Sequence, residues 1–397
     1  MPEHIDGVIV AGAGPVGLVT ALVLARAGVP VTVIDGEPEI IRAPRAIVYH
    51  APTCEELDRL GLLDDLTTIG VIKQDYNFRT VDGEVLAAPH MSVLNASDTA
   101  YPFNLHLAQH QLGGVIMRHL LRLPHAQVRW NTRLTGLTQD RDGVTVAAET
   151  PERPATLRTK WLVGADGGRS SVREAAGLSF DGITWPMRLI ATNVYYDFEA
   201  HGFARANFVL DPVYWAVIVK IDNAGLWRVT YGEDAALPEQ SYRERIANHY
   251  ARLLLGGGPW RLDASAPFRV HERCAESFRA GRVLLAGDAA HVCNPMGGLG
   301  LTSGLLDGIA LGGALAEVIA GRAGETLLDR YAAERRRVFR KLTGPTAAEN
   351  LRRMSEQDPD KRRIDRDRLQ QLRDDPAFQR EVLTFTYKLK GNPIGTA

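Results

Sequence analysis

The sequence predicts an α/β fold in which a Rossmann-like dinucleotide-binding domain with a mixed sheet carries an inserted antiparallel-sheet domain and ends in a helical segment. Three observations lead there. Glycine-bearing segments recur far apart, at residues 12–17 (GAGPVG), 164–173 (GADGGRSSVR) and 287–300 (GDAAHVCNPMGGLG), each directly after a short apolar run. Between the second and third lie β-branched and aromatic runs broken by turn residues, the pattern of an antiparallel sheet. Beyond Thr343 the chain becomes charge-dense and is divided by Pro345, Pro359 and Pro376.

The 397 residues are enough for about two domains with a large core. Lys and Arg total 46 against 47 Asp and Glu, so no basic field argues for nucleic acid or an anionic membrane. A small-molecule partner fits better, with the protein a monomer or homodimer. Acidic Glu3 and Asp6 stand where an export signal would be positive, so a cytoplasmic location is expected. The longest apolar stretch, 305–320, contains Asp307 and Glu317, which reads as a buried helix and not a bilayer span. Cys54, Cys274 and Cys293 are odd in number and widely separated, indicating neither a disulfide framework nor a metal site.

In the first segment, Val8–Ala11 reads as a buried strand. The run after Gly17 has Leu18, Ala21, Leu22 and Ala25 at helical spacing and a stop at Gly28. Strand, tight turn and helix are the context that gives GxGxxG its meaning: Gly12 permits the turn, Gly14 lets backbone N–H groups approach a pyrophosphate, and Gly17 lets the helix pack close to the strand. Pro15 joins these three as a candidate cofactor contact. A second strand, 31–34, ends at Asp35, 18 residues beyond Gly17, where a carboxylate suits ribose hydroxyls and repels a 2′-phosphate. A plain glycine turn would need neither the second strand nor the acid.

In the third segment the apolar run 282–286 ends at Gly287 and Asp288. A carboxylate at the end of a buried strand loses hydration unless donors meet it, and sugar or ribityl hydroxyls would. A loop with His291 and Pro295 then leads to Gly297, Gly298 and Gly300, which open a predicted helix over 301–319. Glycine costs about 1 kcal/mol against alanine in a helix, so three at its start point to a ligand pressed on the first turn. Free N–H groups and the helix dipole favour negative charge there, and a reduced flavin develops such charge at its N1 and C2 edge. In the middle segment, 161–165 predicts a strand and Ser170 the cap of a helix beginning near Ser171. Asp166 lies at the carboxyl end of that strand, where ligands of open α/β sheets collect; alternatively it caps the turn, with Arg169 and Arg173 on a solvated face.

Together the three segments are similar to the single-component FAD-dependent aromatic hydroxylases, the group A flavoprotein monooxygenases of the para-hydroxybenzoate hydroxylase kind, over nearly all of the first 345 residues. The resemblance implies that Gly12, Gly14 and Gly17 bind the ADP half of FAD, with Asp35 in place of the usual glutamate. It implies that Asp166 serves both FAD and the nicotinamide cofactor, that Asp288 contacts the ribityl chain, and that Pro295, Gly297 and Gly298 border the isoalloxazine, with Gly300 and Leu301 beside them. Arg45 resembles the family's loop arginine near the flavin, and Gln109 a helix-start glutamine that touches the cofactor. Departures are His106 for a common Arg, Gly113 for Glu, and Leu299 and Thr302 for Gln and Asn. The implied activity is reduction of FAD by NADPH or NADH, addition of O2 at flavin C4a, and delivery of oxygen from the hydroperoxide to an aromatic or polycyclic small molecule. Arg45, Pro295 and His291 are the catalytic candidates: a mobile loop, a boundary of the closed flavin position, and a loop orienter or proton relay.

These expectations divide the chain into an FAD-binding domain (1–75, 105–180, 272–345), a substrate-binding domain (76–104, 181–271) and a C-terminal helical region (346–397). Strands are predicted over 101–107, 190–198, 206–210, 214–221 and 226–231, with Tyr195, Phe208, Trp215, Trp227 and Tyr231 as pocket candidates that core packing would equally employ. In the C-terminal region acids alternate with bases, which predicts a solvated helix and no nucleic-acid arm. Open alternatives are a same-fold reductase or dehydrogenase, a Baeyer–Villiger or epoxidising variant, and a flavin-binding partner or redox sensor without turnover.

Overall fold

The computed structural model of the chain describes residues 2–44, 46–254 and 257–393. At its centre is a six-stranded sheet in the order Arg279–Ala280, Val283–Leu285, Trp161–Gly164, Val8–Ala11, Val31–Ile34, Ala126–Arg129. Its pairs are parallel except for the antiparallel edge strand Arg279–Ala280. Parallel strands covered on both faces need unbroken apolar runs, and VIVA, VTVI, WLVG and VLL supply them, every residue buried. The three glycine segments each follow one of these strands, so they meet at the carboxyl edge of one sheet.

Helix Pro15–Arg26 packs against helix Gln109–Leu120 and against the long helix Leu299–Ile319. The long helix has the length and apolar composition of a bilayer span, yet most of it is buried inside the chain. Gly304, Gly308 and Gly312 recur every four residues along it and form a stripe against the first helix. A methyl group at Gly308 would lie 2.7 Å from Thr20 Oγ1 and 2.9 Å from the Val16 carbonyl oxygen. The two helix backbones approach that closely only because the stripe has no side chains.

An eight-stranded, mainly antiparallel sheet runs His291–Val292, Arg261–Ala275, Phe180–Tyr195, Leu226–Asp234, Ala216–Lys220, Ala206–Leu210, Asn77–Thr80, Val85–Ala87. The strand expected at 190–198 begins ten residues earlier and ends at Tyr195. Its first half is mostly exposed and contains Gly182 and Pro186, so it carries no periodic signal; pairing with Arg261–Ala275 makes it a strand. At the other end Phe198 leaves the sheet to pack on Trp227 and Phe203. The strand predicted over 101–107 appears as Asn104–His106, the middle of a three-stranded sheet with Val48–Tyr49 and Val71–Lys73; those two partners and a four-stranded sheet including Arg133–Gln139 and Val144–Glu149 were not predicted.

The C-terminal prolines each open a helix: Gly344–Ser355, Pro359–Asp374 and Pro376–Thr384. Pro359–Asp374 is largely exposed, as the charge alternation predicts, and Asp365 anchors it through paired hydrogen bonds from Arg352 at 2.8 and 2.9 Å.

The helix contact gives a two-sided prediction. Gly308→Ala is expected to destabilise the protein by about 1–3 kcal/mol through overpacking. Gly114→Ala, in a helix where the added carbon meets nothing, is expected to stabilise by roughly 0.5–1 kcal/mol. Thermal unfolding of the two variants checks both signs.

Candidate active site

The carboxyl edge of the parallel sheet and one face of the eight-stranded sheet enclose a cavity of about 1500 Å³. A single small ligand needs roughly 300–1000 Å³, so the space suits a dinucleotide with a smaller molecule beside it.

At one end lies the first glycine turn. Gly12 has φ +107°, and a Cβ there would meet the Ala165 carbonyl oxygen at 2.3 Å; one at Gly17 would meet the Gly12 oxygen at 1.9 Å. The fold itself demands these two glycines, and Gly17 does not line the cavity. Gly14 differs. Its φ is an ordinary −71°, a Cβ would find no atom within 4 Å, and it faces the cavity beside Pro15. Backbone strain and packing do not require glycine at this N-cap, and the open space beside it belongs to the cavity.

Asp35 lines the same end and accepts the Ala13 N–H at 2.6 Å and the Glu37 N–H at 2.9 Å. It braces the turn as well as facing the space, with lone pairs to spare for ribose hydroxyls. Asp166 also does two things: it forms cavity wall, and it caps the helix Ser171–Ala175 through Ser170 Oγ and the Val172 N–H at 3.1 Å. Burial pushes its pKa up against those hydrogen bonds.

The third segment supplies Asp288, Pro295, Gly297, Gly298, Gly300 and Leu301 to the wall. Asp288 is exposed into the cavity although its neighbours are buried. The long helix begins at Leu299, two residues before the predicted start, because Gly298 at φ +66° serves as its N-cap. Gln109, at the start of its helix, joins this wall. Arg45 lies outside the described residues; Pro44 and Ala46 line the cavity. Gly287 and His291 do not reach it. His291 is buried, with Nε2 2.7 Å from Asp307 Oδ2 and its ring stacked on Phe339. It lies behind the cavity wall, held by Asp307 and Phe339.

Of the five aromatic candidates, only Phe208 lines the cavity. Side chains alternate across a strand, and the register sets Phe208, Val217, Thr230, Ala191 and Ala266 in one row on the cavity face. Trp227 and Tyr231 have the opposite parity from Arg228 and Thr230 and pack on the far side, Tyr231 stacked on His249 at 3.9 Å. Trp215 shares the cavity face but lies under Leu351 and Met354 of a C-terminal helix. Tyr195 sits beyond the cavity, with Arg261 over its ring at 4.0 Å.

Apart from His106, named only as standing in place of a common Arg, sequence reasoning missed the polar end of the chamber, formed by His50, Lys73, Tyr76, Asn104, His106 and Arg228. Their strands are short, and nothing in the sequence places them together. Asn104 Nδ2 donates to Tyr76 Oη at 2.6 Å and to His50 Nδ1 at 3.2 Å, while His50 Nε2 donates to the Gly297 carbonyl at 2.7 Å. A chain of hydrogen bonds thus ties the glycine turn to this polar end. Burial pushes His50 down to about 4, with Lys73 adding to the effect, and His106 down to about 3. Arg228 donates to Asn193 Oδ1 at 2.7 Å and, lowered by burial to about 10, remains a cation.

A dinucleotide cleft opening onto an apolar chamber roofed by an antiparallel sheet defines a flavin-dependent oxidoreductase. The family profile described as "FAD binding domain" matches residues 6–346, and the chain belongs to that family, the FAD-dependent aromatic hydroxylases. It is 47% identical over 395 residues to para-nitrophenol 4-monooxygenase of Pseudomonas sp. (strain WBC-3), covering 99% of this chain and 98% of that one. It is 41% identical to 6-hydroxy-3-succinoylpyridine 3-monooxygenase of Pseudomonas putida, covering 89% and 90%. The crystal structure of p-nitrophenol 4-monooxygenase from Pseudomonas putida superposes with a TM-score of 0.95 at 48% identity over 98% of this chain and 99% of that one. Aklavinone-11 hydroxylase with FAD and aklavinone gives 0.80 at 28% identity over 90% and 70%.

Two predictions follow from the site's geometry. Gly14→Val is expected to leave stability within about 1 kcal/mol of the parent while lowering FAD affinity at least about tenfold, read by flavin fluorescence and thermal unfolding. The second concerns pH. His50 and His106 are neutral when folded, whereas the unfolded chain takes up protons near about pH 6.5, so their contribution to stability is complete above that pH and lost as pH falls toward their folded values. Between about pH 7 and 5 each is expected to cost about 2 kcal/mol, and His106→Asn should remove one such share in urea unfolding.

Proposed function

We propose that the chain is an FAD-dependent, NAD(P)H-driven monooxygenase that hydroxylates a small aromatic ring already bearing a hydroxyl group. The observation that carries the cofactor is Gly14, a helix N-cap whose missing Cβ would meet no atom of the fold, facing a cavity large enough for FAD and a substrate. Gly12, Gly14 and Asp35 would hold the ADP half, Asp288 the ribityl chain, and Pro295, Gly297 and Gly298 with the first turn of helix Leu299–Ile319 the ring system. Bound there, FAD supplies electron transfer from the nicotinamide and activation of O2.

The remaining work belongs to the chain. The row through Phe208, Val217, Ala191 and Ala266, closed by Phe268 and Met296, excludes water from the reacting ring and holds it flat against an apolar wall. Arg169, Arg269 and Arg273 line the same cavity and set positive charge where an NAD(P)H pyrophosphate would dock. The polar end gives a single hydroxyl group a fixed place to go. A single-ring substrate is favoured because the two relatives matched over most of their length are named for a nitrophenol and a hydroxypyridine.

The test is turnover by the FAD-loaded protein with NADH or NADPH and either 4-nitrophenol or a hydroxypyridine. The expected outcome is ring-dependent NAD(P)H consumption with stoichiometric O2 uptake and little hydrogen peroxide. Continued turnover without O2 would replace the monooxygenase by a reductase. Phe208→Ala is expected to lower kcat/KM by about tenfold or more, from the roughly 1.5–3 kcal/mol that a buried aromatic contact contributes.

A further inference from the structure

We propose that Asn350 is a positioning residue for the flavin: by donating to the Met296 carbonyl it locks the turn Pro295–Gly298 in one of two forms, the one that presents the Gly297 N–H to the cavity. The inference rests on the reading above that this turn borders the ring system of FAD.

The Gly298 N–H donates to the Pro295 carbonyl at 3.0 Å and closes a four-residue turn. Its third residue, Gly297, has φ +95°, whereas Met296 before it does not have a positive φ. That combination is a type II turn. Types I and II differ in the way their central peptide faces, here the Met296 C=O and the Gly297 N–H. Glycine in the third position adopts either form, so the residues of the turn do not choose between them. A partner outside the turn does. Asn350 Nδ2 lies 3.3 Å from the Met296 carbonyl oxygen, which can only accept. A Cβ at Gly297 would lie 2.7 Å from the same nitrogen. Met296 and Gly297 line the cavity and Asn350 does not. A trans peptide sets its N–H opposite its C=O, so a carbonyl drawn back to Asn350 leaves the Gly297 N–H on the cavity side. Reversed, the same peptide would offer a carbonyl there.

Asn350 is held in turn by the roof of the chamber. It stands on helix Gly344–Ser355, whose Leu351 and Met354 share one core cluster with Leu189 and Trp215 of the eight-stranded sheet region and with Met296 itself. The Met354 carbonyl also accepts the Asp211 N–H at 3.1 Å, directly after strand Ala206–Leu210. One amide therefore ties the flavin-facing turn to the sheet that covers the substrate. The consequence is electrostatic. Hydrogen bonds from the protein tune a bound flavin: a backbone N–H directed at the ring favours the added electron density of the reduced state, and a carbonyl in its place opposes it. Asn350 decides which of the two the turn presents, without touching the cofactor.

The test is the midpoint potential of bound FAD, measured by anaerobic reduction against a reference dye, with thermal unfolding of the FAD-free protein beside it. Asn350→Leu keeps the size of the side chain and removes the donor. It is expected to unfold as wild type does and to bind oxidised FAD, while its hold on reduced FAD weakens about tenfold relative to oxidised, a fall of about 30 mV. Gly297→Ala is strained at φ +95° and crowds Asn350, so it is expected to reverse the peptide and lower the potential in the same direction. Adding Asn350→Leu to it should lower the potential no further, because both act through one peptide. Asn350→Ala gives the same reading should Asn350→Leu not fold. An unchanged potential in the Asn350 variants with FAD bound, or shifts that add in the double variant, would overturn the inference while leaving FAD at this site. Failure of wild type to take up FAD would overturn the inference and the cofactor reading together.

Discussion

One buried carboxylate holds the working parts of this protein in register. Asp307 has no exposed surface in the middle of the apolar helix Leu299–Ile319. It accepts the Gly287 N–H at 3.1 Å, His291 Nε2 at 2.7 Å and Arg335 Nε at 2.6 Å. Arg335 in turn donates to the carbonyls of Leu389 and Lys390 and to Ser303. Burial alone would push the carboxyl up; His291 and Arg335 more than offset it, so it lies below the usual carboxylate range. A buried ion set of this kind adds little net stability against an apolar equivalent, but loss of one partner strands a charge. What it contributes is position. The turn carrying Asp288, the long helix, helix Thr326–Val338 and the C-terminal turn all meet at this atom group.

The second constraint is close backbone contact. The stripe of Gly304, Gly308 and Gly312 lets the helix below the third segment lie directly on the helix above the first. The two cavity-lining turns are therefore held together by this contact, with a methyl group at Gly304 lying 3.2 Å from the Gly287 backbone. These glycines serve the fold. Gly14, the N-cap of the first helix, is distinguished from them by what its absent side chain would touch, which is no atom of the fold.

The chamber shows how little a residue's type says about its job. Arg228, Thr230 and Phe208 face the cavity while Trp227 and Tyr231, more obvious candidates for an aromatic pocket, are buried behind the sheet. Lys73 comes from a strand of three residues that gives no period in the sequence, and although a strand was expected around His106, nothing local sets the two beside each other.

The sequence by itself determined the dinucleotide half. Unbroken apolar runs, each followed by glycines, can be satisfied only as buried parallel strands with ligand-facing turns, and Val8–Ala11, Val31–Ile34, the Ser170 cap and the proline-led terminal helices all lie where local chemistry puts them. Tertiary structure alone decided the substrate half. Which face of a strand meets the cavity depends on register with distant partners, and a one-residue shift exchanges Trp227 for Arg228. The same holds for His291: its type suggests proton transfer, but a partner 16 residues away turns it from the cavity. Local pattern fixes what a segment becomes, while the identity of its neighbours fixes what its side chains can do.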